Sequence, residues 1–439
     1  MDVEMQSVPF DPAKAKATLA QLPHAPAVFA LYGADYKDQP YIGRTPNLRG
    51  RLERLLQPSP KHPRRLQLAG RVRRIAWHLT GSDFESLLTQ FEMLEKAYGP
   101  KALERMHLGA PAFVRFLGSN PYPRVTITNK PSQREVDWAY GPFASRATAE
   151  RFAEEMLKLF LLRRCTDDLH PDPSHPGCVY SEMKMCLAPC YKGCTDQRYA
   201  EESDAVQQFL ATRGESKLVL LRTERDKASE DLAFEDAAAL HTQVQKVEAV
   251  QALAPELVQP MSKLRTVILQ ASANPDEVAL FLYDSGQLRG PVPFSTIGMR
   301  IQNEHSGSSS LFAQPMALEP VPEESNSQGP PIKEPGSETP ADAVPALHHP
   351  TLNSPKIPRT MLEARMEAVL EQLSAPAPPP GSTVRQGHLA LLKRWYYRPE
   401  VKREGEVIFP DSERHWPVRA LLRAAGRVAA KKLAPTKPE

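Results

Sequence analysis

The chain has 439 residues, 55 Lys and Arg against 52 Asp and Glu, a formal net charge of +3 and 44 prolines. That length allows two or three domains at roughly 150 residues each, and a hydrophobic content of 41% with about twice the usual share of proline assigns part of the chain to linker. No apolar stretch reaches the ~18 residues of a membrane span, and the N-terminus has no basic region followed by an apolar run. The expectation is a cytoplasmic protein with no signal peptide and no membrane partner.

Taken in order, residues 27–32, A-V-F-A-L-Y, read as a strand, and a polar turn leads to a second one at Tyr41-Ile42-Gly43. Asn47 is placed to cap a helix carrying Leu48, Leu52, Leu55 and Leu56 at helical spacing. Arg44, Arg49, Arg51, Arg54, Lys61, Arg64, Arg65, Arg71, Arg73 and Arg74 make residues 44–74 strongly cationic, opposed only by Glu53. Beside Tyr41 and Trp77, such a run favours a polyanion such as DNA over a merely solvated helix face. Phosphate contacts of this kind give salt-sensitive affinity without reading sequence. Arg124 to Thr128 alternate as a strand, and Gly141-Pro142-Phe143 reads as a turn. The helix after it directs Phe152, Met156, Leu159, Phe160 and Leu162 to a core.

All five cysteines, Cys165, Cys178, Cys186, Cys190 and Cys194, fall in one short stretch. A metal or iron–sulfur site, a disulfide knot and a redox switch each need sulfur in this way, and a cytoplasmic location makes structural disulfides rare. Four thiolates suit iron–sulfur and zinc alike. Residues 196–253 are helical, and Leu232-Ala233-Phe234-Glu235 separates one helix from the next. Phe234 is either an aromatic anchor for a partner or the core of a plain helical hairpin. Residues 264–294 read as strands joined by loops. Residues 303–358, rich in Ser, Pro and Glu, cannot bury enough apolar surface to fold. A helix follows at 360–373. Near the end, Trp395, Tyr396 and Tyr397 stand beside Lys393, Arg394 and Arg398. They suit base stacking and the anchor of a docking element equally. Arg419, Arg423 and Arg427 line one face of a final helix, which fits phosphate binding or a solvated surface.

Phe29 in P-A-V-F, followed by Tyr41-Ile42-Gly43-Arg44-Thr45-x-Asn47-Leu48-Arg49-x-Arg51-Leu52, resembles the GIY-YIG nuclease module. It is most similar to the version found in the UvrC family, the incision subunit of bacterial nucleotide excision repair. The resemblance continues through the Y-P-x-V and G-P-F segments. It includes the cysteine pattern R-x-C, P-x-C, C-L-A-P-C, the UVR-like string A-S-E-D-L-A-F-E-D-A-A-A-L-H and the hairpin after it. The C-terminal nuclease and helix-hairpin-helix domains of that family are not recognisable.

The resemblance implies an α+β protein whose small GIY-YIG α/β domain has a central antiparallel sheet. Its implied parts are that domain at 20–105, connecting strands and helix at 106–160, a cysteine-cluster module at 161–200 and a UVR-type helical hairpin at 201–255. A small strand segment at 256–302, the disordered linker at 303–358 and a helix with a basic aromatic segment at 359–439 complete it. It implies a DNA endonuclease that cuts phosphodiester bonds, with Tyr41 helping to activate water, Arg51 stabilising the phosphate charge and Arg44 assisting. A helix glutamate would hold one Mg²⁺ or Mn²⁺ ion. Counted from Glu85 that position is Gln90, and counted back from Tyr98–Pro100 it is Phe91, so Glu92, the nearest carboxylate, is the candidate. Arg49, Arg54, Arg64, Arg65, Arg71, Arg73 and Arg74 would bind DNA. Cys165, Cys178, Cys186 and Cys190 would hold a [4Fe–4S] cluster, with zinc the alternative. Leu232, Phe234 and Glu235 would contact a UvrB-like helicase subunit. Phe29, Leu55 and Gln90 depart from the nuclease pattern and keep a second reading open: a degenerate DNA-binding adaptor, in which Glu92 and Glu95 are ordinary solvent-facing helix charges.

Overall fold

A computed structural model describes residues 4–34, 39–56, 68–132, 136–299 and 358–433. Lys61, Arg64, Arg65 and the expected linker up to residue 357 lie outside the described residues. The architecture is mixed α and β, built on three four-stranded antiparallel sheets.

The first sheet runs β1 (Gln6–Pro9), β4 (Arg74–Leu79), β2 (Ala27–Tyr32) and β3 (Tyr41–Thr45), so β3 is an edge. Its central strand β2 is apolar throughout because both faces are covered. On one face lie α1 (Ala15–Ala20) and α2 (Leu48–Leu56), around Phe29, Leu31, Ile75 and Trp77. Asn47 caps α2 as expected, its Oδ1 accepting from Gly50 N at 3.0 Å. Leu48, Leu52 and Leu56, one turn apart, are fully buried, while Leu55 is only partly so. The other face is covered by α3 (Asp83–Tyr98), which α4 (Lys101–Arg105) follows.

The second sheet has β6 (Val125–Thr128), β5 (Ala112–Phe116), β7 (Ala139–Phe143) and β8 (Gln259–Pro260) in that order. The G-P-F segment, expected as a turn, is the end of β7, and all five residues of that strand are buried. Pro142 is tolerated because β8 pairs only with Tyr140 and Gly141, so no ladder bond asks it for a donor. The turn comes next, where Ser145 and Thr148 form a reciprocal capping box on α5 (Arg146–Leu157). Against this sheet pack α7 (Asp196–Ala211) and the bases of α8 (Glu215–Glu230) and α9 (Phe234–Ala252). A single turn of helix, α6 (Val179–Glu182), lies among the cysteines.

The third sheet combines distant sequence: β11 (Gln287–Ser295), β10 (Glu277–Asp284), β9 (Thr266–Ala271) and β12 (Glu406–Ile408). Helices α10 (Arg359–Ser374) and α12 (Val418–Leu433) cover one face around Leu280, Leu370 and Leu421. Helix α11 (Ser382–Tyr396) covers the other and is pressed against α3. Gly387 is needed there, since a Cβ would stand 2.0 Å from the Phe91 ring. Trp395, 2% exposed, packs on Phe84 at 5.5 Å and donates from Nε1 to Glu404 O at 3.0 Å. Of the two roles open to the C-terminal aromatics, the structure gives Trp395 that of an anchor. Tyr397 donates to Pro142 O at 2.8 Å and so ties the same segment to the second sheet. The segment at 358–433 thus completes the sheet that β9, β10 and β11 begin.

Candidate functional site

Strand parity decides which first-sheet residues can act together. Directly paired residues of an antiparallel ladder share a face, and neighbours along a strand do not. Gly43 pairs with Phe29, and Phe29 with Trp77, so these point to the α2 side, as does Tyr41. Arg44 pairs with Val28, and Val28 with His78, so these point to α3. Ile42, on the same side as Arg44, packs into the cluster built by α3.

On the α2 side, Tyr41 is 37% exposed and its ring centroid lies 6.1 Å from that of Phe29. The para carbon of Phe29, which would carry a tyrosine hydroxyl, abuts Gly43: a Cβ there would be 2.9 Å away. Arg51 is half-buried on α2. The neighbouring arginines divide by what they already hold. Arg49 donates to Leu22 O at 2.7 Å, Arg54 to Gly50 O at 3.0 Å and Arg73 to Gly70 O at 2.9 Å. Arg74 lies 4.1 Å over the Tyr32 ring, and Arg71 is exposed. Arg64 and Arg65 lie outside the described residues.

On the α3 side, Arg44 is paired with Asp83, whose second oxygen accepts from Arg398 Nη2 at 2.6 Å. Burial pushes the Asp83 carboxyl up, but the two arginines outweigh it and hold the group below its ordinary range. Ser82 caps α3 through Glu85 N at 3.1 Å, and Glu85 reaches back to Gly81 N at 2.8 Å. His78 sits with Nε2 3.8 Å from Glu85 Oε1 and donates from Nδ1 to Glu4 O at 3.0 Å. The Glu85 contact raises the His78 pKa although burial opposes it. Glu92 belongs to this group. Burial pushes its carboxyl up to about 7 and the His78 charge draws it down. Glu92 is therefore not a solvent-facing helix charge, whereas Phe91 beside it is a core residue at 1% exposure. Among the described residues no hydrogen bond or ion pair links Tyr41, Arg51 and Glu92. Sequence reasoning missed Asp83, His78 and Glu85, and it gave Arg398 a different candidate role beside the C-terminal aromatics. Only Ser82-x-x-Glu85 carried a readable signal, that of a capping box.

All five cysteines are free thiols, each half-buried. Burial pushes Cys186 up to about 11; an N–H from Ala188 opposes this, and thiolates at Cys165, Cys178 and Cys190 add to it. These four sulfurs are therefore within electrostatic reach of one another. Cys194 is raised by burial and by Asp196, and no other cysteine acts on it, so it stands apart. Among the described residues no three His, Cys, Asp or Glu side chains converge closely enough to hold a single metal ion.

Helices α8 and α9 form an antiparallel hairpin whose base is buried through Leu218, Leu221, Val244 and Val247. Its tip stands in solvent: Leu232, at φ 60°, is 71% exposed and Phe234 is 66% exposed. Glu235 is exposed in the first turn of α9. Phe234 is thus not the core of a plain hairpin.

Residues 113–209 match the family described as the UvrC/Cho excinuclease middle domain. More than half of the chain is similar to UvrC proteins. Over 239 residues it is 27% identical to "UvrABC system protein C" of Aliivibrio fischeri, covering 54% of this chain and 38% of that protein. The protein of the same name from Haemophilus ducreyi is 29% identical over 240 residues, 54% of this chain and 38% of its own. That of Rickettsia bellii is 26% identical over 282 residues, 64% and 43% respectively. The chain thus spans about two fifths of the length of the curated relatives it matches. No solved structure matches it. Among its described residues no helix is long and apolar enough to cross a membrane.

Proposed function

We propose that the chain is a UvrC-like DNA endonuclease of nucleotide excision repair, with a GIY-YIG-type domain at its N-terminus. The observation that carries this reading is the middle-domain match across residues 113–209, because it spans all four cysteines of the implied cluster. The first-sheet domain before it and the exposed hairpin after it follow in the order the family implies.

In this reading the cationic surface of α2 and β4 holds the DNA backbone, with Arg71 free to meet phosphate. Tyr41 helps to activate the attacking water through its hydroxyl, and Arg51 on the same side neutralises the phosphorane oxygens. Glu92 is the residue that would hold Mg²⁺ or Mn²⁺. Its buried carboxyl fits a hard cation, which would stabilise the ionised form that burial disfavours. A bound ion would polarise the scissile phosphate. Cys165, Cys178, Cys186 and Cys190 would hold the [4Fe–4S] cluster. A cubane takes each thiolate on a different iron, so its ligands need not converge on one point. Leu232, Phe234 and Glu235 present the hairpin tip to a UvrB-like subunit, with Phe234 as the aromatic anchor.

One observation favours a second reading, a DNA-binding adaptor without cleavage. Glu92 and Arg44 lie on the opposite side of the sheet from Tyr41, and Arg44 is occupied by Asp83. The two readings separate on incubating the chain with nicked, damaged and supercoiled DNA in Mg²⁺ or Mn²⁺. Incision abolished by Tyr41→Phe and Arg51→Ala supports the nuclease. Binding without incision supports the adaptor, and incision that survives both substitutions shows the site to be elsewhere.

A further inference from the structure

Arg163 is the most deeply buried cation described in this chain, at 1% exposure. Its Nε donates to Tyr122 O at 2.9 Å and its Nη1 to Asp167 O at 2.8 Å, with Cys165 Sγ 3.6 Å from the same nitrogen. Its backbone N–H donates to Tyr199 Oη at 3.2 Å, and that hydroxyl donates onward to Pro123 O at 2.8 Å. The guanidinium is thus pinned against the cysteine module. Yet Nη2 is buried with no hydrogen-bond partner, and among the described residues no carboxylate pairs with the group.

A guanidinium cannot shed its charge, and a buried charge without a counter-ion is strongly destabilising. The anion must come from something else at the module. Four cysteine thiolates around a [4Fe–4S]²⁺ cluster carry a net charge of −2, and one of the four, Cys165, already faces Arg163. We infer that Arg163 is the built-in counter-cation of an anionic tetrathiolate centre formed by Cys165, Cys178, Cys186 and Cys190. The inference rests on the tetrathiolate cluster reading of the proposed function. Its free Nη2 donor is available to a thiolate or a bridging sulfide once the sulfurs are ionised, a contact that neutral thiols do not supply. The backbone carbonyls at Tyr122 and Asp167 fix the fork, so the charge is in place before the centre assembles.

The test compares anaerobically purified wild type, Arg163→Lys and Arg163→Met. Iron, sulfide and zinc content, release of metal to a chelator, and thermal unfolding of loaded and metal-free protein are measured. Arg163→Met should release metal about tenfold faster or more, and its gain in unfolding temperature on loading should shrink, while Arg163→Lys retains most of both. If iron is present, loss of the positive charge should also lower the midpoint potential. Equal destabilisation of the loaded and metal-free forms, with release unchanged, would show that Arg163 only braces the loop and would overturn the inference. A wild type that takes up neither iron nor zinc overturns the tetrathiolate reading itself, and is distinguished because the failure is seen without any substitution.

Discussion

Substituting Glu92 by Gln tests the electrostatics of the α3 side. Burial carries this carboxyl from 4.5 to about 7. Each unit corresponds to about 1.4 kcal/mol, so the shift amounts to roughly 3 kcal/mol at full ionisation. The sign follows from proton binding. Between these two pH values the folded chain keeps a proton that the unfolded chain has released, so stability falls as pH rises through this window and levels off above it. Gln keeps the shape and removes the titration. Urea unfolding at pH 5 and pH 8 should show wild type losing about 2–3 kcal/mol more than Glu92→Gln over that interval. His78, whose pKa is raised, loses stability with rising pH too, but it does so in both proteins. Parallel losses in the two, within about 0.5 kcal/mol, would mean that Glu92 is solvated and that a cation gains nothing from it.

Other expectations concern the separate modules. Trp395→Ala should cost about 3–5 kcal/mol in denaturant unfolding, since a fully packed indole and its bond to Glu404 are lost together. Phe234→Ala should leave unfolding within about 0.5 kcal/mol but weaken association with a UvrB-like protein by roughly 2 kcal/mol in calorimetry; unchanged binding would refute the role of the tip. Cys194→Ser should retain metal at the wild-type level while Cys186→Ser loses it, as read by elemental analysis.

Legibility in the sequence followed the range of the interactions. The strands β2 and β3, the cap at Asn47 and the leucines of α2 are local, and spacing alone placed them. The cysteine set was readable because so few residue types do what sulfur does. The hairpin turn at Leu232 was also visible, but whether Phe234 faced a core or solvent depended on what packs beside it. The C-terminal segment was least legible. Trp395 beside Arg394 and Arg398 has the composition of a nucleic-acid contact. Only the pairing of β12 with β9, over a hundred residues away in sequence, turns that indole inward and sets Arg398 on Asp83. Asp83 gave no signal, because its two arginines come from a strand before it and from the bend after a helix far along the chain. The parity that separates Tyr41 from Arg44 was present in the alternation of β3, but which helix covers each face was not.

Incision itself is the measurement closest to the central claim. The wild-type chain, with a UvrB-like partner and Mg²⁺, is given a duplex bearing a single lesion, and the strands are resolved on a denaturing gel. The account predicts a discrete cut near the lesion that depends on Tyr41 and disappears when the metal is chelated. An intact duplex that is nevertheless bound would contradict it.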